Sequence, residues 1–209
     1  MVKYNFPEYK LELDIPEEVY FPAEDTFFLL RNLNLNNNIR SIYEIGGGSG
    51  IISIILAKKF EKTRFLVSDI SSTATRMIQS NCKLNGVNGQ IDVVCMDKLN
   101  AIRHSSPEVI IWNPPYLPED SETKKLPTTD KLMLTGGKMG YEEIYELIIS
   151  LQNSKANTSL YTIFSSIAWN KVNCEDIREL GIRLEIIKEL KLFFEKLYLA
   201  RIDFGDCNG

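Results

Sequence analysis

The 209-residue chain has one histidine, four cysteines and no long hydrophobic run. No run reaches transmembrane length and the N-terminus has no apolar signal core, which predicts a cytoplasmic protein that does not contact a membrane. The histidine, His104, lies in a polar stretch and is expected at the surface. The cysteines are far apart and form no CxxC pair, so the sequence predicts free, partly buried thiols and neither a metal site nor a disulfide framework. They are Cys82, Cys95, Cys174 and Cys207.

A basic excess is also missing. The chain has 24 Lys and Arg residues against 28 Asp and Glu residues, and its net charge is -4. Proteins that track a nucleic acid usually carry a basic excess, so this balance argues against nucleic acid as the main substrate, although a local basic patch fits the same average. The length fits one domain, and a hydrophobic content of 44% supplies a core. No repeat or low-complexity tract interrupts the sequence, so we predict a single domain over residues 1–209.

A run of glycines joins a predicted strand to a predicted helix. The strand covers residues 41–45, the glycines lie within residues 46–50, and an apolar helix begins at Ile51. This context is typical of a nucleotide-binding turn, because glycine permits positive φ angles and lets a ligand approach the backbone. Ile51 stands where a dinucleotide fingerprint has its last glycine, and no G-x-x-x-x-G-K-[ST] sequence occurs in the chain. The pattern therefore argues against the two common phosphate-binding loops.

Polar residues stand at the ends of the predicted strands. The strand at residues 63–68 runs into Asp69, 23 positions after the first glycine. In dinucleotide-type folds an acid meets the ribose hydroxyls at an offset of about 20 residues. Strands alternate with helices, which predicts a mainly parallel sheet with helices on both faces. Because the carboxyl ends of parallel strands line the ligand crevice, we expect four side chains to meet at one rim. They are Glu44, Asp69, Asp97 and Asn113.

The fourth predicted strand, residues 109–112, ends in Asn113-Pro114-Pro115-Tyr116. Two consecutive prolines restrict the backbone, so the loop is stiff and cannot wind into a helix. The Asn113 side chain offers a carbonyl acceptor, the Pro114 carbonyl is free, and Tyr116 adds a flat face. Such a loop can hold a planar group that carries N–H bonds. The alternative is an ordinary loop, or a short ligand for an aromatic groove in another domain.

Other segments complete the expected architecture. A helix is predicted over residues 22–32, where Glu24-Asp25-Thr26 is interpreted as ordinary N-terminal helix chemistry. Residues 117–130 are polar and have no periodicity, which predicts a mobile flap over the site. A further helix is predicted over residues 173–180, and a short edge strand or hairpin within the first 18 residues.

Six motifs occur in a fixed order along the chain. They are Val19-Tyr20-x-Pro22-x-Glu24-Asp25-Thr26, Glu44-Ile45-Gly46-x-Gly48-Ser49-Gly50, Asp69-Ile70, Asp97, Asn113-Pro114-Pro115-Tyr116 and Gly136-Gly137-x-x-Gly140. In this combination they resemble the HemK family, and in particular the short archaeal and eukaryotic branch of release-factor glutamine N5-methyltransferases.

The resemblance implies a class I S-adenosylmethionine-dependent methyltransferase. Its fold would be an α/β, Rossmann-like sheet of seven strands, mainly parallel, with the last strand antiparallel and helices on both faces. The implied substrate is the glutamine of the Gly-Gly-Gln loop in a translation termination factor. The implied partner is a small zinc-containing activator subunit, which would make a heterodimer.

The resemblance also assigns roles to individual residues. Asp69 would bind the ribose hydroxyls and Asp97 the adenine amino group, whereas Lys98 would approach the adenine through its backbone. The implied cofactor contacts are Thr26, Glu44, Gly46, Gly48, Asp69, Asp97, Lys98 and Asn113. The implied catalytic residues are Asn113, Pro114, Pro115 and Tyr116, which would hold the glutamine amide, and no metal ligand is implied.

The chain departs from the family pattern in two places. It shows no counterpart of the helical N-terminal domain of the long branch, and Leu134-Thr135 stand where the short branch often has a tryptophan. Other functions stay open at this point. One is a DNA or RNA methyltransferase that acts on adenine N6 or guanine N2, and another is a protein lysine methyltransferase. A non-enzymatic alternative is an inactive methyltransferase fold that serves as a scaffold.

Overall fold

The computed structural model describes residues 2–99, 107–168, 177 and 180–205. Within these ranges the strands are β1 (Val2–Phe6), β2 (Leu11–Ile15), β3 (Ser41–Ile45), β4 (Arg64–Asp69), β5 (Ile91–Cys95), β6 (Val109–Trp112), β7 (Thr158–Ser165), β8 (Arg183–Lys191) and β9 (Lys196–Phe204). The α-helices are α1 (Glu24–Asn32), α2 (Ile51–Lys59), α3 (Ser72–Leu84), α4 (Thr128–Leu134) and α5 (Glu142–Asn153).

Seven strands form the central sheet in the order β5-β4-β3-β6-β7-β9-β8. Strands β3 to β7 pair in parallel, and β9 lies antiparallel between β7 and β8. The predicted seven-stranded sheet with an antiparallel last strand is therefore confirmed. The strand order reverses at β3 and β6, which is where ligands bind in open α/β sheets.

The central strands are buried on both faces because helices cover each side of the sheet. On β3, Ile42 joins the core cluster that includes residues of α1, α2 and α3, whereas Tyr43 and Ile45 join the cluster that includes residues of α5. On β6, Ile111 and Ile110 divide between the two clusters in the same way. Burial on both faces explains why β6 reads as a continuous apolar run without alternation, whereas β3 carries the buried Glu44 among its apolar residues.

The first two strands form a separate antiparallel hairpin, which confirms the hairpin alternative for this segment. Two asparagines of the α3 region attach it to the domain. Asn81 Oδ1 accepts the Asp14 N–H at 2.9 Å, and Asn85 Nδ2 donates to the Glu12 carbonyl at 2.7 Å. These bonds fix the hairpin against α3, just before the chain enters α1.

The segment over residues 117–130 is more regular than predicted. It contains a 3₁₀ turn at Thr123–Lys125, and α4 begins at Thr128. The Asp120 carboxylate accepts the backbone N–H groups of Glu122 at 2.9 Å and Thr123 at 2.8 Å. The sequence did not indicate these elements, because short turns held by local capping leave no hydrophobic period. A mobile flap over the site stays a prediction.

The cysteine prediction is confirmed for one thiol and wrong for another. Cys82 is buried in α3, whereas Cys95 is exposed because it ends β5, the outer strand of the sheet. Cys174, Cys207 and His104 lie outside the described residues, as does most of the helix predicted over residues 173–180. In the described ranges, no helix has the length and apolar content that crossing a membrane requires.

Candidate active site

The carboxyl ends of four neighbouring parallel strands meet at one edge of the sheet. The register aligns Ile45 of β3 with Ser68 of β4 and with Trp112 of β6, and it aligns Asp69 with Cys95 of β5. Each strand therefore ends at the same level as its neighbours. This alignment places the four predicted strand-end residues, Glu44, Asp69, Asp97 and Asn113, along one rim.

The glycine turn between β3 and α2 adopts backbone conformations that favour glycine. Gly46, Gly48 and Gly50 have φ angles of +62°, +53° and +80°. A Cβ atom at Gly47 would lie 2.4 Å from the Val67 Cγ1 atom of β4, so that position has no room for a side chain. The turn can therefore lie flat against the strand ends and expose its backbone to a ligand.

Asp69 is fixed by backbone donors on two sides. Its Oδ2 atom accepts the Gly48 N–H at 2.9 Å, and its Oδ1 atom accepts the Ser71 N–H at 2.8 Å. Burial raises the pKa of this carboxyl, and the two backbone bonds act in the opposite direction. Because each carboxylate oxygen can accept more than one hydrogen bond, the group retains capacity for a pair of hydroxyl donors.

Glu44 lies deeper, at the base of the glycine turn. Its carboxylate accepts hydrogen bonds from the Ser53 backbone N–H at 3.0 Å and from the Ser53 hydroxyl of α2. Burial raises the pKa of Glu44 to about 8, against the smaller opposing effect of the Ser53 hydrogen bonds. A cation bound beside it would favour the ionised form and lower this pKa.

A buried tyrosine positions the backbone that follows β5. The Tyr43 hydroxyl donates to the Lys98 carbonyl at 2.5 Å and lies 2.6 Å from Ser68 Oγ. Lys98 itself has a φ angle of +42°, and its ammonium group pairs with Glu143 of α5. The Lys98 side chain thus extends toward α5, while its carbonyl is held by Tyr43, and the charge of Asp97 also reaches Tyr43.

The Asn-Pro-Pro-Tyr loop is tied to α1 through one carboxylate. Asn113 Nδ2 donates to Asp25 Oδ2 at 2.9 Å. The same carboxylate accepts the Tyr20 hydroxyl at 3.1 Å and the Thr26 N–H at 2.7 Å. Asn113 Oδ1, in contrast, is buried and has no hydrogen-bond partner among the described residues. The loop therefore contains a buried acceptor without a donor.

Tyr116 completes this loop and shares the same carboxylate. Burial raises the pKa of its phenol, and the negative charge of Asp25, the neighbouring Tyr20 and the charge of Glu195 raise it further. A hydrogen bond to Asp25 adds to the effect. Tyr116 is therefore neutral near pH 7 and remains a hydrogen-bond donor.

The Gly-Gly-x-x-Gly segment supports this loop by direct contact between backbones. A Cβ atom at Gly136 would lie 2.4 Å from the Pro115 carbonyl oxygen, and one at Gly140 would lie 2.6 Å from the Tyr116 carbonyl oxygen. The Gly136 N–H also donates to the Leu117 carbonyl at 3.1 Å. Any larger residue at these two positions would push the loop away.

Sequence reasoning missed the role of Asp25, which was interpreted as helix N-terminal chemistry. The structure buries this carboxylate, with 5% of its surface exposed, together with Phe28 and Leu29 on the inner face of α1. The spacing i, i+3, i+4 marks these three residues as one helix face, so a charged residue on an apolar stripe was the available signal.

The fold and this rim together define a class I methyltransferase. The sheet has the antiparallel last strand, the glycine turn follows β3, an acid ends β4, and Asn-Pro-Pro-Tyr follows β6. A family model described as the methyltransferase small domain matches residues 24–165. The chain belongs to the methyltransferase small domain family.

Named relatives agree with the resemblance to the HemK family. A Methanocaldococcus jannaschii protein, provisionally named a protein N5-glutamine methyltransferase, is 36% identical over 188 residues, which cover 90% of this chain and 92% of that protein. The eRF1 methyltransferase catalytic subunit mtq2 of Schizosaccharomyces pombe is 28% identical, and the match covers 92% of each chain. The E. cuniculi Mtq2 chain solved with Trm112 has the same fold, with a TM-score of 0.65, 21% identity and coverage of 90% and 99%.

Proposed function

We propose that this enzyme transfers a methyl group from S-adenosylmethionine to the side-chain amide nitrogen of a glutamine, in the Gly-Gly-Gln loop of a translation termination factor. The observation that carries the proposal is the buried Asn113 Oδ1 atom, for which the described residues supply no donor. A buried acceptor without a partner is costly unless a ligand satisfies it. The methyl acceptor is taken from the names of the Methanocaldococcus and Schizosaccharomyces relatives, which give a protein glutamine and eRF1.

The chemistry of the rim suits S-adenosylmethionine. Asp69, held by the Gly48 and Ser71 N–H groups, would accept the two ribose hydroxyls, and the open backbone at Gly48 would leave space for the amino-acid part. Glu44 would accept its ammonium group, and Asp97 with the Lys98 backbone would meet the adenine. Thr26 and Asn113 border the reacting end. S-adenosylmethionine carries the methyl group on a positively charged sulfur, and its transfer needs no metal ligand from the chain.

The Asn-Pro-Pro-Tyr loop at residues 113–116, here called the acceptor loop, would act mainly by orienting the substrate amide. An amide nitrogen is a poor nucleophile because its lone pair is delocalised into the carbonyl group. If Asn113 Oδ1 and the Pro114 carbonyl accept its two N–H bonds, the nitrogen faces the methyl group, and fixed orientation supplies much of the acceleration. These acceptors also stabilise the positive charge that develops on nitrogen as the N–C bond forms and the S–C bond breaks. S-adenosylhomocysteine then leaves, and the methylated nitrogen releases one of its two protons to water. Tyr116 stays protonated, so it would provide a flat surface and not a base.

The surface beside the loop supports a protein acceptor. Phe193 and Phe194 are 93% and 88% exposed at the turn between β8 and β9. That turn lies at the rim, because Glu195 bonds to Ser165 at the end of β7 and its charge reaches Tyr116. Exposed apolar groups beside an active site are typical of protein-binding surfaces. A nucleic acid substrate would instead favour a basic groove.

We further propose that the enzyme works in the cytoplasm as a heterodimer with a small zinc-containing activator subunit. The E. cuniculi relative supports this part of the proposal, because its Mtq2 chain forms a complex with Trm112. Activity that appears only when such a subunit is added would support it further. Full activity of the isolated chain would contradict it.

The decisive experiment measures methyl transfer from labelled S-adenosylmethionine by the full chain, with and without the activator subunit. The acceptors are a purified termination factor, the same factor with the glutamine of its Gly-Gly-Gln loop replaced by glutamate, transfer RNA and duplex DNA. We expect label only in the unaltered factor, and mass spectrometry should place it on that glutamine. Label in the nucleic acids alone would overturn the proposal.

The Asn113→Ala variant separates acceptor chemistry from donor binding. Loss of a preorganised hydrogen-bonding group costs roughly 10²-fold to 10³-fold in turnover, so we expect kcat to fall by that amount. Calorimetry should find the affinity for S-adenosylmethionine within a few-fold of the wild type, because most donor contacts lie elsewhere. An equal loss of binding and turnover would contradict this division of roles.

A further inference from the structure

Asp25 occupies an unusual position for a carboxylate. It lies in the first turn of α1, 5% exposed, and it contacts the acceptor loop through the Asn113 side chain. Its two oxygens receive donors from three parts of the chain. These are the Tyr20 hydroxyl at 3.1 Å, the Thr26 N–H at 2.7 Å and Asn113 Nδ2 at 2.9 Å. The N-terminal segment, α1 and the acceptor loop therefore meet at one buried charge.

The chemistry of a carboxylate dictates how Asn113 must face it. An ionised carboxylate accepts hydrogen bonds and donates none, whereas an asparagine amide has a donor side and an acceptor side. The side that faces Asp25 must therefore be the NH₂ group. The carbonyl oxygen then points to the opposite side, where it stays buried and unpaired within the described part of the chain.

We infer that Asp25 is a positioning residue that sets the orientation of the Asn113 amide. The inference rests on the proposed function, because an amide acceptor with two N–H bonds needs an oxygen and not an NH₂ group at this point. If the Asn113 amide turned over, its NH₂ group would face the N–H bonds of the substrate amide, and its oxygen would face the Asp25 carboxylate. Asp25 prevents that state without contacting the substrate.

The hydroxyl groups of Tyr20 and Tyr116 act on Asp25 only as hydrogen-bond donors. Burial, with the charge of Asp25 next, raises the pKa of Tyr20, and the same two causes lead for Tyr116. Both hydroxyl groups therefore remain protonated donors toward Asp25. Asn113 Nδ2 therefore joins the two hydroxyl groups as a third side-chain donor to the same carboxylate.

Three variants test the inference: Asp25→Asn, Asn113→Asp, and the exchange that combines both. Asp25→Asn keeps the size but offers an NH₂ group to Asn113, so the Asn113 amide is expected to turn over and kcat to fall at least about tenfold, within the range for a lost transition-state contact. Asn113→Asp alone puts two carboxylates in contact and should also impair turnover. In the exchange, the new amide at position 25 donates to the new carboxylate at position 113, and an oxygen faces the substrate again.

The exchange should therefore recover activity that both single changes lose. We expect the kcat of the exchange variant to exceed that of the less active single variant by about tenfold. If the two changes acted independently, its loss in kcat would instead be the product of the two single losses. Affinity for S-adenosylmethionine should stay within a few-fold in all three proteins. Glu24→Gln changes the neighbouring exposed carboxylate and serves as the matched control, with kcat unchanged. An exchange variant no better than the product of the single losses would overturn the inference.

A second measurement does not depend on activity. In a ¹H–¹⁵N spectrum of the full chain, the Asn113 side-chain NH₂ should show a downfield proton, because it donates to a carboxylate. That shift should disappear in Asp25→Asn and persist in Glu24→Gln. A shift insensitive to Asp25→Asn would refute the positioning role even if the termination factor is methylated. A wild-type enzyme that leaves the termination factor unmethylated would instead refute the proposed function.

Discussion

The buried Glu44 should make the stability of this protein depend on pH in an unusual direction. Its pKa is raised from 4.5 to about 8 in the folded chain, and burial is the main cause. In the unfolded chain the group loses its proton near its ordinary value. Between those two pH values the folded state binds more protons than the unfolded state, so the free energy of unfolding falls as pH rises. Below the lower value and above the upper one, this contribution is constant.

The size of the effect follows from the difference between the two pKa values. About 3.5 pKa units, at about 1.4 kcal/mol per unit, give a maximum near 5 kcal/mol. Between the ordinary pKa of 4.5 and pH 7 lie roughly 2.5 of those units, so about 3 kcal/mol of the free energy of unfolding has been lost at pH 7. Glu44→Gln removes the ionisation but keeps an oxygen that can accept the Ser53 N–H. This variant should therefore be more stable than the wild type near pH 7 and lose the pH dependence.

Urea unfolding of both proteins at pH 5, 6, 7 and 8, without S-adenosylmethionine, measures this difference directly. We expect the free energy of unfolding of the wild type to fall relative to Glu44→Gln by about 3 kcal/mol across that range, with most other titrating groups cancelling in the comparison. Parallel profiles for the two proteins would refute the raised pKa. A wild-type profile that rises relative to the variant would show that Glu44 is ionised in the folded state.

Three further outcomes are expected. Asp69→Asn should weaken S-adenosylmethionine binding in calorimetry by roughly tenfold or more, because a charged acceptor for hydroxyl donors is lost, and unchanged affinity would contradict the ribose assignment. Gly136→Ala should lower the free energy of unfolding by roughly 1–3 kcal/mol in urea titrations, since its Cβ would lie 2.4 Å from the Pro115 oxygen. Gly89→Ala is the matched control, because no described atom lies within 4 Å of its added Cβ. Replacing Phe193 and Phe194 by serine should raise KM for the termination factor by roughly tenfold, in the range of interface anchors, and leave a short Gly-Gly-Gln peptide unaffected; equal effects on both substrates would argue against docking at this turn.

The central strands were predictable because their surroundings leave a clear mark on the sequence. β3 and β6 match the predicted bounds residue for residue. β6 is buried on both faces and reads as a short apolar run that ends just before Asn113, and β3 ends where the glycine run begins. The glycine turn was predictable for the same kind of local reason. Gly46, Gly48 and Gly50 have positive φ angles, which other residues rarely adopt.

The contacts of Asp25 were not predictable, because they depend on distance in space and not on local pattern. Asp25 and Asn113 are separated by 88 positions, and neither residue indicates the other by type or spacing. The same limit applies to Gly136, whose need for glycine arises from the carbonyl of Pro115 in another segment. Local rules identify the parts of this site, and the tertiary fold decides which parts meet.

The main-chain support beneath Asn-Pro-Pro-Tyr has a consequence for how this enzyme can vary. Gly136 and Gly140 touch the loop through carbonyl oxygens, so its height above the sheet is set by covalent geometry and not by rotamers. Substitutions at Lys138 and Met139 would leave that height unchanged, whereas Gly137 has a φ angle of +108° and no room for a side chain beside Glu142. The acceptor groups should therefore hold the same separation from the sulfonium across related enzymes whose surfaces have diverged to fit different proteins.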